Sequence, residues 1–81
     1  MNAEQAIIEL RNGIKITYAS GEYGMYYKMC HGDQIMLLSI GSLLFNNQIT
    51  ANVESVMSVE SFLNQSKWLG NLRYKKYESP I

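Results

Sequence analysis

Residues 2–19 read NAEQAIIELRNGIKITYA, and a change of rhythm inside this stretch decides the fold. From Asn2 to Asn12 the apolar residues Ala3, Ala6, Ile7 and Leu10 recur at three- and four-residue spacing, which places them on one face of a helix. Asn2 is a good N-cap, and Gln5 stands three positions later, where a capping box needs it. Gly13 suits the left-handed position after the helix, with Ile14 as its apolar partner. From Ile14 to Ala19 the period drops to two. Ile14, Ile16 and Tyr18 face one way, and Lys15 and Thr17 the other. A helix that hands over to a half-buried strand predicts an α+β domain.

The rest of the chain extends this reading. Ser20–Gly24 is a turn with two glycines, followed by a strand over Met25–Cys30. His31–Gln34 is a short turn, in which Gly32-Asp33 suits a tight hairpin. Ile35–Ile40 is almost wholly apolar and predicts a strand covered on both faces, or on one face by a second subunit. After the Gly41-Ser42 break, Leu43–Phe45 is expected as a short strand before an Asn46-Asn47 turn. Gln48–Val53 alternates again as a strand. Ser58 is expected to cap a short helix through about Gln65, with Val59, Phe62 and Leu63 on its apolar face. Lys67–Leu69 and Leu72–Tyr77 read as extended, joined by a Gly70-Asn71 hairpin turn. The expected architecture is an N-terminal helix packed on a small antiparallel sheet, with a short second helix before the C-terminal strand.

Eighty-one residues make a single domain, 1–81, whose lone core is small enough that self-association is expected to help it. A hydrophobic share of 47% against 17% charged residues predicts a folded chain. Seven basic and seven acidic side chains cancel, so no global field favours duplex nucleic acid or an anionic membrane. The single cysteine, Cys30, cannot form an intrachain disulfide, and the N-terminal stretch is polar. Both fit a cytoplasmic setting. The longest apolar run, Ile35–Phe45, is too short to span a bilayer.

Catalytic patterns are sparse. Cys30 and His31 are neighbours, and neighbours in a strand point to opposite faces, so they do not make a nucleophile–base pair. The carboxylates are scattered, one Cys and one His give no zinc spacing, and Gly21-x-x-Gly24 is too short to cradle a dinucleotide. The chain is expected to bind and not to catalyse, without a cofactor.

Three features carry that expectation. Six tyrosines and one tryptophan are many for this length. Tyr23, Tyr26 and Tyr27 gather at the first hairpin, and Trp68, Tyr74 and Tyr77 near the C-terminus. Aromatic faces stack on bases for about 1–3 kcal/mol each. Lys67, Arg73, Lys75 and Lys76 interleave with the second aromatic group, where one or two phosphates would find a partner. The Ser20–Gly24 glycines let backbone N–H groups approach a ligand. Each feature has a plain structural alternative: core tyrosines, an edge strand guarded by lysine, and an ordinary turn. Met25, Met29, Met36 and Met57, with the Ile35–Ile40 run, also suggest more apolar surface than one chain hides, hence a homo-oligomer.

In its order of parts the chain resembles the small phage family that counters the bacterial Thoeris defence by sequestering its cyclic nucleotide signal. The residues that carry the resemblance are Ala3–Gly13, the strand Ile14–Ala19, the Gly21–Gly24 loop, Gly24-Met25-Tyr26-Tyr27, and Val59-Glu60-Ser61-Phe62-Leu63 followed by Trp68. Ala19 and Ser20 stand where the family carries a Gly-Trp pair. Thr17 and Tyr18 stand where it carries a basic pair. The resemblance implies tight, non-catalytic binding of a cyclic nucleotide or ADP-ribose-like ligand by a homo-oligomer with pockets between subunits. The expected ligand-binding residues are Tyr23, Gly24, Tyr27, Lys28, Trp68 and Arg73. Tyr23 or Trp68 would stack a base, and Arg73, Lys28 and loop amides would hold phosphate. The alternatives are a small protein–protein inhibitor or adaptor that docks on a host protein through strand edges and Ile35–Phe45, and a single-stranded nucleic-acid binder.

Overall fold

Asn2 begins the structure as the sequence predicts. In the computed structural model, which describes residues 1–21, 24–41 and 50–78, its side chain accepts from the Gln5 N–H at 2.9 Å. The Gln5 side chain returns the bond to the Asn2 N–H at 3.0 Å, completing the capping box of α1 (Ala3–Arg11). The helix ends in a Schellman arrangement. Gly13 has φ +82, its N–H reaches Leu10, and the Ile14 N–H reaches Glu9, both at 3.0 Å.

Four strands and a second helix follow, then a last strand: β1 (Ile16–Tyr18), β2 (Met25–Cys30), β3 (Gln34–Gly41), β4 (Thr50–Ser58), α2 (Val59–Trp68) and β5 (Tyr74–Lys76). The sheet order is β4-β3-β2-β1-β5, and every neighbouring pair is antiparallel. β1 to β4 form a meander. β5 returns from the end of α2 to pair with β1, setting Thr17 opposite Lys75 and Tyr18 opposite Tyr74. The expected α+β architecture is the observed one.

Both helices lie on one face of this sheet. Ala3, Ala6, Ile7 and Leu10 of α1 and Phe62 of α2 pack with Ile16, Tyr27, Ile35 and Tyr74. The core is notably aromatic. The Tyr27 ring meets Phe62 edge-on at 5.1 Å, and Phe62 lies 5.2 Å from Tyr74. Such pairs add about 0.5–1.5 kcal/mol each beyond the area they bury. The Tyr18 and Tyr27 hydroxyls bond to each other beside them.

Three expectations need correction. β4 runs to Ser58 and does not stop at Val53, because an irregularity in the β3–β4 pairing between Leu37 and Leu38 breaks the alternation. Leu38 pairs with Val53 and Met36 with Val56, so two valines three residues apart share a face. Lys67–Leu69 is not a strand: α2 continues through Trp68 with Leu69 as its C-cap. Gly70-Asn71 is therefore no hairpin turn but a second Schellman ending, with Gly70 at φ +82. The Gly70 N–H reaches Lys67 at 3.2 Å, and the Asn71 N–H reaches Ser66 at 2.8 Å. The expected Leu43–Phe45 strand and Asn46-Asn47 turn lie outside the described residues. Within the apolar run, Ile35 is buried on the helix side and Leu38 is buried on the opposite side.

Candidate functional site

The strand register sorts the expected site residues into two ends of the sheet. Arg73 belongs to the end where β1 leaves for the first hairpin turn. Its carbonyl accepts from the Ala19 N–H at 2.9 Å. The Ile16–Tyr27 pairing brings Gly24 back to the same end. Lys28 goes the other way, beside Lys15 and opposite Met36 on β3. Four residues of strand and two strand spacings separate it from Arg73, which is about 13 Å along the sheet and about 10 Å across it. The two cations thus stand at opposite ends of the sheet within a single chain.

An open hollow of about 500 Å³ occupies the Arg73 end. Tyr18, Ser20 and Gly21 line one side, and Asn71, Leu72 and Arg73 the other. A second hollow, about 330 Å³, shares Asn71, Leu72 and Arg73 and extends to Lys67, Ser66 and the start of α1. The Schellman ending of α2 makes this geometry. Gly70 and Asn71 both take positive φ, which turns the chain sharply off the helix and lays Leu72 and Arg73 along the mouth. Arg73 is exposed and has no ion-pair partner among the described residues.

The turn's backbone is less available than its glycines suggest. The Ala19 N–H is taken by Arg73, and the Gly21 N–H by Tyr18 at 2.9 Å. A side chain at Gly21 would press on the Tyr18 carbonyl at 3.1 Å, so this glycine serves the tight turn itself. These two amides are therefore not free donors, and the Arg73 guanidinium is the cation that lines the hollow.

The other expected residues divide clearly. Tyr27 is 1% exposed, with its ring among Tyr18, Phe62 and Tyr74. It belongs to the core, and no base reaches its face. Burial, reinforced by the Tyr18 hydroxyl, pushes its pKa far above the ordinary tyrosine value. Burial also raises Tyr74, against an opposing hydrogen bond from Ser66. Trp68 is 88% exposed at the end of α2 and lines neither hollow. Tyr23 lies outside the described residues. Tyr18, Asn71 and Leu72 line the hollow without having been expected there. Reading Gly70-Asn71 as a helix ending, as Gly13 was read, would have pointed to the last two.

Lys28 has its own surroundings, a shallow hollow with Met29, Cys30, His31 and Met36. The Cys30 thiol there donates to the Gln34 carbonyl at 3.1 Å. No helix among the described residues is long and apolar enough to cross a membrane. Comparison with protein-family models, curated proteins and solved structures finds no match to this chain.

Proposed function

We propose that the chain captures a small anionic ligand of the cyclic nucleotide or ADP-ribose class and holds it without turnover. It would act as the anti-Thoeris family it resembles does, in a host cytoplasm and as a homo-oligomer. The observation that carries this reading is the open hollow where the exposed Arg73, without an ion-pair partner among the described residues, meets the Ser20–Gly21 turn. Its described lining offers a cation, an aromatic residue and an asparagine, which suit phosphate, base and sugar edges. Among the described lining residues the turn side offers the Ser20 and Tyr18 hydroxyls, and neither histidine nor carboxylate. That set fits holding better than turnover. Of the expected contacts, Arg73 and Gly24 share this end. Lys28 and Trp68 would join only from a second subunit, which ties the proposal to assembly.

Native mass spectrometry tests it, with the protein alone and with cyclic di- and trinucleotides and cyclic ADP-ribose isomers. The expected result is an oligomer that gains whole ligand masses. Arg73→Ala should weaken the captured ligand by roughly 10–100-fold, the worth of a charge-assisted bond. A bare chain that ignores every nucleotide, or an Arg73→Ala protein that binds like the parent, overturns the reading. Trp68→Ala reports separately whether the indole takes part.

A further inference from the structure

The chain is neutral overall, but three of its seven basic residues share one face of the sheet. The sheet face away from the helices carries Lys15, Lys28 and Lys75. Lys15 Nζ stands 4.9 Å from the centre of the Tyr26 ring, Lys75 pairs with Thr17, and Lys28 pairs with Met36. Among the described strand residues no carboxylate alternates onto this face, and the exposed Glu78 follows Tyr77 just beyond β5. Glu4, Glu9 and Glu60 are on the helices, and Asp33 is held by Arg11 of α1 at 3.2 Å. Glu54, at the irregular point of β4, bonds to Ser39, whose parity along β3 is that of the buried Ile35.

Beside the lysines the same face is apolar. The half-buried Met36 and the buried Leu38 of β3 run next to Val53 and Val56 of β4, and only these valines are open, at 56% and 51% exposure. The lysines stand on or beside β1, β2 and β5, and the apolar row on β3 and β4. The face is therefore two parallel bands, one cationic and one apolar. A helix laid along an apolar strand pair is the usual way to cover a sheet face. Here its flank would lie over lysine.

We propose that this face docks an acidic amphipathic helix of a partner protein, with its apolar stripe on Met36, Val53 and Val56 and its carboxylates toward Lys28 and Lys15. Charge complementarity selects the occupant. A basic helix would set cation against cation, and an acidic one gains both steering and register. The inference does not use the Arg73 hollow.

The probes are two synthetic helices with the same leucine spacing, one carrying glutamate at all other positions and one carrying lysine. Fluorescence anisotropy with the whole chain reads their affinities. The glutamate helix should bind at least about tenfold more tightly at low salt, and the advantage should shrink as salt rises. Amide shifts in nitrogen-15 spectra should concentrate on β3 and β4. Lys15→Glu/Lys28→Glu/Lys75→Glu, all at exposed positions, should reverse the preference, and Val56→Asp should abolish binding. Arg73→Ala should leave it unchanged, which separates this test from that of the ligand reading. Equal or absent binding of the two helices overturns the proposal. So does binding to phosphatidylglycerol vesicles in place of the glutamate helix, or a dimer of the chain itself that protects the β4 amides.

Discussion

The two faces of the five-stranded sheet are built from alternate residues of the same strands, yet they are made stable in different ways. The helix side closes over Tyr27, Phe62 and Ile35, all nearly inaccessible. No helix among the described residues lies on the other side. Tyr26 is covered there mainly by the Tyr77 ring stacked 4.7 Å away, and the β4 valines remain half open. Strand alternation thus produces one face closed by the helices and another on which Tyr26 and Leu38 are buried while the β4 valines stay half exposed. A change of similar size on the two faces should cost very different amounts.

The largest expected contrast is between Phe62→Ala and Val53→Thr. The first opens a cavity among Tyr27, Tyr74 and α1 and should cost about 3–5 kcal/mol. The second should stay within about 0.5 kcal/mol. Urea midpoints decide it, and a costly Val53→Thr would mean that the open face is covered in solution.

Alkali probes the closed face next. In the unfolded chain tyrosine loses its proton near pH 10, while burial makes Tyr27 and Tyr74 keep theirs to higher pH. The folded state then holds more protons than the unfolded one, so stability is intact below about pH 10 and falls as pH rises beyond it. Tyr27→Phe should flatten that fall when midpoints are compared at pH 8 and pH 11.

A smaller effect concerns the joints that lay the helices on the closed face. Gly13→Ala and Gly70→Ala should each cost about 1–2 kcal/mol through the backbone, because both positions have φ +82 and open space around them. Thermal melts read this directly, and a cost at Gly70 with a change in ligand capture would tie the Schellman ending to the Arg73 hollow.

The smallest change has the opposite sign. The Tyr77 hydroxyl is buried on the open face without a hydrogen-bond partner among the described residues. Tyr77→Phe should therefore stabilise by about 1 kcal/mol. A loss would show that this hydroxyl finds a partner in solution.

What the sequence made legible follows from how local each signal is. The capping box, the Gly13 ending and the early strands are written within a few residues of themselves, and they stand as read. The irregular pairing in β4 is invisible from one strand, because it exists only against β3, and it hid the second half of β4 behind a broken alternation. Gly70-Asn71 offered the signal that ended α1, but a hairpin turn uses the same residue types. The site was half legible. Arg73 and Gly24 share an end because β5 pairs with β1, and no spacing in the sequence reveals that pairing. Tyr27 looked like a ligand contact because an aromatic in a strand does not announce which face is covered.

The pairing of β5 with β1 also sets a schedule during synthesis. The hairpins of β1 to β4 join near neighbours and can form as they emerge, but the outer edge of β1 stays unpaired until Tyr74–Lys76 arrives. At about 5–20 residues per second that wait lasts several seconds. Throughout it, a short β1 edge bearing Ile16 and Tyr18 is open to any other strand, including that of a sister chain on the same message. The nascent chain therefore passes through a window in which β5 and a foreign strand compete for one place, and the speed of translation influences which of them takes it.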